Sequence, residues 1–374
     1  MRFLPRTLAF SVLIFLSLPL FAASLDFTSE KAHFKLDVVA ADLEHPWSLA
    51  FLPDGAMLVT ERAGRLRVIR NEELLSKPVT GLPASAVSGQ GGLFDVVLHP
   101  NFKKNQMLFL SYAHRSREGM TTRIARATFN KDRLESVTVI FEALPRSGTS
   151  RHFGGRMAFD ASGYLYIAVG DRGDKDRAQN TGDDAGGVHR ITVNGAPAPS
   201  NPGLDDPNIN DTFFTWGNRN IQGMTVHPQT GDIWTHEHGP RGGDEVNILR
   251  AGTNYGWPEI TYGIGYSGLP ITLDTAKEGM AQPLHYWDPS IAPSGIAFYT
   301  GHEFPEWQGN LFIGALKMRK LVRLQIKSGQ VTVEEDLLTK LAERIRDVRT
   351  GPDGALWLLT DSPQGKIYRV APAQ

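Results

Sequence analysis

The segment Ser150-Arg151-His152-Phe153-Gly154-Gly155-Arg156 sets a histidine beside two glycines, and Gly170-Asp171-Arg172-Gly173 follows shortly after it. Histidine changes charge near neutral pH, and a carboxylate on one ring nitrogen fixes its tautomer and stabilises the imidazolium. His152 and Asp171 are therefore candidates for a general base and its partner, if the fold brings them to one place; on spacing alone a structural histidine fits as well. A second set is cationic. Arg344 and Arg346 fall on one face of an extended segment by the period of two, and Lys317 ends the apolar run that starts at Leu311. Turned into a cavity, such cations select a polyanion through charge-assisted bonds; turned outward, they are surface charge. Between the two sets lie Trp216-Gly217-Asn218-Arg219-Asn220-Ile221-Gln222, dense in planar hydrogen-bonding groups, and His236-Glu237-His238-Gly239-Pro240, with Asp244 and Glu245 close behind. Alternating histidines suggest a transition metal, whereas a Gly-Pro turn with nearby carboxylates suits Ca²⁺, which takes oxygen ligands including backbone carbonyls. A solvated polar turn is the third reading of that block.

These segments sit between copies of a repeated unit: an apolar run, a turn with Pro, Asp or Gly, and a second apolar run. Ser48 to Val59 is the first copy, and others begin near Leu93, Arg156, Met224, Ile296 and Val348. Each copy reads as two short strands joined by a turn. The copies recur at roughly 50 to 70 residues, room for four strands and their loops. Six such sheets arranged radially make an all-β, six-bladed β-propeller with four-stranded blades, which leaves only short, protected strand edges. A pair of β-sandwiches or a β-helix is the competing reading of the repeat. Phe34-Lys35-Leu36-Asp37-Val38-Val39 alternates at strand period and is placed to complete the last blade. Loops over one end of the ring would then gather the polar segments round the central channel.

Composition narrows the classes further. With 39 basic and 40 acidic side chains there is no excess of positive charge to neutralise phosphates, so no nucleic-acid partner is expected. No cysteine is present, which removes disulfides, thiol nucleophiles and cysteine-held metals. Residues 1–23 carry Arg2 and Arg6, an apolar stretch from Leu8 to Phe21 and the small pair Ala22-Ala23, the pattern of a secretory signal peptide. The apolar stretch is shorter than the ~20 residues that span a bilayer. Residues 24–374 are then expected to form one soluble propeller domain, periplasmic or secreted, without a membrane span.

The segments in their order resemble the soluble quinoprotein glucose and aldose sugar dehydrogenases, which use pyrroloquinoline quinone (PQQ). The likeness covers about residues 43–370 and rests on Gly89-Gln90-Gly91-Gly92-Leu93, His152 to Arg156, Gly170 to Gly173, Arg219 to Gly223, Glu237 to Glu245, Asn254-Tyr255-Gly256-Trp257-Pro258, Ala292-Pro293-Ser294-Gly295 and Arg344 to Val348. Within the family it looks most like the periplasmic aldose sugar dehydrogenase branch. The resemblance implies His152 as catalytic base with Asp171 as its partner. It implies Gln90, Arg219, Asn220, Lys317, Arg344 and Arg346 as residues that hold PQQ, and the Gly239 and Pro240 carbonyls as ligands of a Ca²⁺ ion, with Asp244 outside them. The implied reaction oxidises an aldose at its C1 hydroxyl to the lactone and passes electrons to a periplasmic acceptor of unknown identity. Several positions depart from the family pattern: Arg151 replaces an acidic residue of the glucose dehydrogenases before the base, Asp288 replaces their cofactor-stacking Trp, next to Trp287, Ile221 replaces the usual Pro, and Val188-His189 stands where a Lys and an aliphatic residue are usual. A calcium-dependent propeller lactonase and a non-catalytic carbohydrate-binding propeller are the alternatives; the cationic set argues against the first, and a redox response to sugar would exclude the second.

Overall fold

The structure, a computed structural model, describes residues 25–373; the leader read at residues 1–23 lies outside them. Its strands form six sheets, one per sequence repeat. The first strand of each is Pro46–Phe51, Leu93–Leu98, Met157–Phe159, Ile221–Val226, Pro293–Phe298 and Ile345–Thr350, taken as blades 1 to 6. Each of these strands lies against the first strand of the next blade, and the sixth lies against the first, so the ring is closed. The turn in the first copy shows how the sequence punctuates the strands. Gly55 takes φ 87° between Pro46–Phe51 and Met57–Glu61, where its N–H reaches the Leu52 carbonyl at 3.0 Å.

Closure is antiparallel. His33–Leu43 pairs with Gly365–Pro372, with Phe34 opposite Pro372 and Leu43 opposite Gly365, so the N-terminal segment supplies the outer strand of blade 6 as its alternation predicts. Two sheets gain a fifth strand: Leu25–Thr28 beyond His33–Leu43, and Thr253–Asn254, parallel to Phe213–Trp216 of blade 3. The core is six apolar layers, one between each pair of neighbouring blades. Leu58 and Leu66 meet Leu93 and Leu110 between blades 1 and 2, and Phe312 and Leu321 meet Leu356 and Tyr368 between blades 5 and 6. A strand buried on both faces explains why the second strands, such as Leu356–Thr360, are continuously apolar and not alternating.

Around the axis the packing is polar. Arg156 is fully buried, with its guanidinium 4.1 Å over the Trp47 ring, 2.9 Å from the Asp347 carboxylate and 3.7 Å from that of Asp95. Its Nε donates to the Gln222 carbonyl at 2.7 Å. Arg349 completes the cluster by donating to Asp347 at 2.8 Å and Asp95 at 3.3 Å. Two cations and two carboxylates thus balance within the ring. Removing one partner strands a buried charge, which costs about 3–5 kcal/mol. Arg156→Met should lower the unfolding free energy by about that much, read from the midpoint of a urea titration; a loss below about 1 kcal/mol would mean that Arg156 does not tie the blades.

Candidate active site

His152 stands just before the first strand of blade 3, and Asp171 just after the second, Leu165–Val169, so antiparallel pairing returns them to the same end of the ring. The approach is close: a Cβ on Gly170 would lie 2.3 Å from the His152 carbonyl, so only glycine fits there. His152 Nδ1 and Asp171 Oδ1 are 2.6 Å apart, and the imidazole is 12% exposed. Asp171 is fixed from three further directions. Gly173 N–H donates to Oδ1 at 2.7 Å, Trp257 Nε1–H donates to Oδ2 at 2.9 Å, and the Asp171 N–H is held by the Arg219 carbonyl at 2.8 Å. The loop that carries His152 is clamped as well. Gln90 Oε1 accepts its N–H at 2.6 Å, and the buried Arg172, stacked 3.5 Å over Phe153, donates to the Arg151 and Thr149 carbonyls.

Burial holds the His152 imidazole below its ordinary value, with Asp171 working in the opposite direction. Burial pushes Asp171 up, but the His152 hydrogen bond and charge outweigh it and leave the carboxyl below the usual carboxylate range. The pair therefore rests near neutral pH as carboxylate and neutral imidazole, Nδ1–H to Asp171 and the Nε2 lone pair free. Nε2 has no partner among the described residues, and His152 lines an outer cavity of about 430 Å³ with Arg151, Asp171, Arg219, Trp257 and Tyr266.

A second cavity, of about 540 Å³, lies over the channel. Gln90, Asn220, Arg344 and Arg346 line it, as do His45, Arg62 and Asp361, which sequence reasoning missed. Arg344 and Arg346 converge on Asp361 Oδ2 at 2.7 and 3.0 Å, and His45 Nδ1 meets Oδ1 at 2.8 Å. Burial raises the Asp361 carboxyl, and Arg346, Arg344 and His45 overcome that and hold it far below the usual range. A carboxylate at or just past the end of a blade's second strand recurs as Glu61, Asp171, Glu237 and Asp361; that recurrence is the sequence signal for Asp361. Lys317 is exposed beside the lining residue Leu316 and does not itself line the cavity. Arg219 is buried and lines the outer cavity, not the inner one, and donates to the His238 and Gly239 carbonyls at 3.0 and 2.8 Å. Asn220 Oδ1 accepts the Gly154 N–H at 3.2 Å.

The His236 to Glu245 block is not a transition-metal centre: among the described residues no three His, Asp or Glu side chains are grouped to hold an ion. Burial lowers His238 to about 3, and its Nε2 is taken by the Pro293 carbonyl at 2.7 Å. Burial raises Glu237 above the usual carboxylate range, and burial together with the Glu237 charge raises Glu245 likewise. Asp244 is occupied within the chain, by Gly239 N–H at 2.9 Å, the Ser290 hydroxyl at 2.7 Å and Ala292 N–H at 2.9 Å. Trp287 does not face the site either. It packs between blades 4 and 5, with Nε1–H donating to Glu334 at 2.7 Å, so the aromatic surface at the outer cavity comes from Trp257 and Tyr266.

With this geometry in place, the sequence profile described as glucose/sorbosone dehydrogenase matches residues 43–369. The chain belongs to that family. It is 41% identical to the aldose sugar dehydrogenase YliI of Escherichia coli over 96% of this chain and 98% of that one, and 27% identical to quinoprotein glucose dehydrogenase B of Acinetobacter calcoaceticus over 89% and 87%. The apo structure of the soluble E. coli aldose sugar dehydrogenase superposes with a TM-score of 0.88 at 40% identity, covering 91% of this chain and all of that one. The PQQ-bound aldose sugar dehydrogenase of Streptomyces coelicolor superposes with a TM-score of 0.75 at 27% identity, over 91% and 98%. This member of the family is an oxidoreductase of the quinoprotein sugar dehydrogenase type.

The pH dependence follows from the His152 shift. A base must be neutral to accept a proton, so lowering the imidazole keeps it available further into acid. The acidic limb of kcat/KM should have its midpoint below ~6.5, the ordinary histidine value. A midpoint above that value would mean that another group sets the limb.

Proposed function

We propose that this sugar dehydrogenase oxidises aldoses at the C1 hydroxyl to the lactone, with His152 as base, PQQ as electron acceptor and Ca²⁺ as a second cofactor. The observation that carries the reading is the His152–Asp171 pair at 2.6 Å, with Nε2 open at the border of a cationic cavity. The inner cavity suits a flat tricarboxylate: three guanidiniums, those of Arg62, Arg344 and Arg346, face one carboxylate, and Gln90 and Asn220 offer polar contacts. When bound, PQQ supplies the two-electron acceptor for the C1 hydride. Arg344 and Arg346 would hold its carboxylates, Arg219 would face it from the outer cavity, and Lys317 would close over it from the rim.

For calcium the donors are neutral oxygens. The Pro240 carbonyl accepts no hydrogen bond among the described residues, and the Gly239 carbonyl keeps one lone pair beyond its bond to Arg219. A Cβ at Gly239 would come within 2.2 Å of the Gly242 and Gly243 carbonyls, so glycine leaves room where oxygens converge. This donor set fits Ca²⁺, which would act there as a Lewis acid toward the quinone.

The chain's own part is proton handling and placement. His152 Nε2 takes the hydroxyl proton as the C1 hydride leaves, and Asp171 stabilises the imidazolium that forms. Trp257 and Gly173 keep Asp171 from turning away, so little reorganisation accompanies the charge change. The apolar layers beneath the cavities and the buried Phe153 and Trp257 limit water around the base. The leader supports export, and hence an electron acceptor in the periplasm.

PQQ and Ca²⁺ added to the purified chain should restore reduction of an artificial acceptor in the presence of an aldose; silence across a panel of aldoses would remove the reading. His152→Ala should lower kcat by roughly 10²–10⁴ while leaving PQQ affinity in place, and unchanged turnover would mean that another residue is the base. Stripping divalent ions with a chelator should abolish turnover of the PQQ complex and Ca²⁺ should restore it, whereas full turnover after stripping would remove calcium from the site.

A further inference from the structure

His45 repeats the construction of the base in another blade, ahead of blade 1 where His152 stands ahead of blade 3. Like His152 it stands ahead of the first strand of its blade, directly before Pro46–Phe51 where His152 is five residues before Met157, and it holds a left-handed backbone, φ 47° against 52°. Its Nδ1 meets Asp361 at 2.8 Å, as His152 meets Asp171. The difference lies in where each ring faces: His152 lines the outer cavity, whereas His45 lines the inner one with the cations. Its side chain is 28% exposed, and Nε2 has no partner among the described residues.

The charge count of that cavity is informative. Arg62, Arg344 and Arg346 contribute three positive charges and Asp361 one negative, a balance of plus two with His45 neutral. A proton on His45 raises the balance to plus three, which matches the three carboxylates of PQQ. Two of the cations already share one Asp361 oxygen, so only the other oxygen remains to support the imidazolium, and His45 occupies it. The groups facing His45 from the neighbouring elements are Glu44 in the chain before it, Glu61 and Arg62 at the end of the second strand of blade 1, Arg344 and Arg346 at the start of blade 6, and Asp361. Glu44 and Glu61 are both drawn to Arg65, at 2.7 and 2.6 Å, which leaves Asp361 as the carboxylate in contact with the ring.

We propose that His45, oriented by Asp361, binds a carboxylate of the cofactor through Nε2–H, so that PQQ capture takes up a proton at this residue. With Nδ1–H held by Asp361, neutral His45 offers the cavity only a lone pair, which repels a carboxylate. The protonated ring offers a charge-assisted donor instead. Binding and protonation therefore favour one another, by the reciprocity of linkage.

This inference rests on the reading of the inner cavity as the PQQ site, and its test separates the two. PQQ is titrated into the chain prepared without it, followed by quinone absorbance, and calorimetry in two buffers of different ionisation enthalpy counts the protons exchanged. The wild-type Kd should weaken by about tenfold from pH 6 to pH 8, with net proton uptake per PQQ near neutral pH. His45→Gln keeps a neutral donor toward Asp361. It should bind about tenfold more weakly at pH 6, match the wild type at pH 8.5, and show a smaller proton uptake. Equal uptake and equal pH dependence in the two proteins would overturn the role of His45. If Arg346→Ala also left the Kd unchanged, the cavity itself would be wrong as the PQQ site. The wild-type proton count needs no variant, so absence of net uptake in it also overturns the proposal if His45→Gln fails to fold.

Discussion

The buried charge cluster at the axis is the constraint on which the rest of the molecule depends. Arg156 comes from blade 3, Asp95 from blade 2, and Asp347 and Arg349 from blade 6. The same groups reach blade 1 through the Ser48 hydroxyl on Asp95 and the Leu49 N–H on Asp347, and blade 4 through the Gln222 carbonyl. Apolar layers between blades set distances but are forgiving about rotation. A carboxylate that must satisfy several donors at once is not, because each lost bond leaves a polar group buried and unpaired. Five of the six innermost strands are thus held in register by one neutral set of charges. The candidate site residues are immediate neighbours of that set: His152 is four residues before Arg156, and Arg346 adjoins Asp347, with its carbonyl accepting from Arg156 at 3.3 Å.

The same logic governs the site above. Each group that needs a particular charge or direction is paired with a carboxylate at the end of a blade's second strand: His152 with Asp171, and Arg344, Arg346 and His45 with Asp361. Without such partners, cations gathered in a cavity would repel one another and drift toward solvent. With them, the side chains are preorganised, and the remaining excess of positive charge is what a polyanionic ligand can still gain. Glu237 does the equivalent for the backbone, accepting from Asn218 Nδ2 and the Arg219 and Asn220 N–H groups. This fixes the turn that carries Arg219.

What was legible in the sequence follows from how local each interaction is. The blades could be read because each is a hairpin written in consecutive residues. His152 and Asp171 could be paired because both flank the same strand pair, so adjacency in the sheet follows from the repeat. Trp257 could not be tied to Asp171 in advance: 86 residues separate them, and the contact exists only because the loop after Thr253–Asn254 folds back across blade 3. Arg344 and Arg346 showed as a period-two pair, but their shared partner Asp361 lies on the neighbouring strand, and His45 arrives from the other end of the chain only once the ring closes. The outward set of Lys317 and the inward burial of Trp287 were equally invisible, since both sit at strand ends where a turn of the backbone decides which side faces the channel.

The arrangement of the two cavities bears on the order of events. The cations line the inner cavity over the channel, whereas the free nitrogen of His152 borders the outer one. Gln90, which lines the inner cavity and accepts the His152 N–H, and the adjacent pair Arg219 and Asn220, of which the first lines the outer cavity and the second the inner, mark the boundary. A ligand that fills the inner space therefore completes a wall of the outer space, and under the proposed function a sugar arriving later would meet His152 on one side and the bound acceptor on the other. Reversing the order would place an uncharged sugar in a cavity whose excess charge it cannot neutralise. Under the proposed function, the separation of a cationic inner space from an outer space bordered by His152 thus favours cofactor first and sugar second on electrostatic grounds.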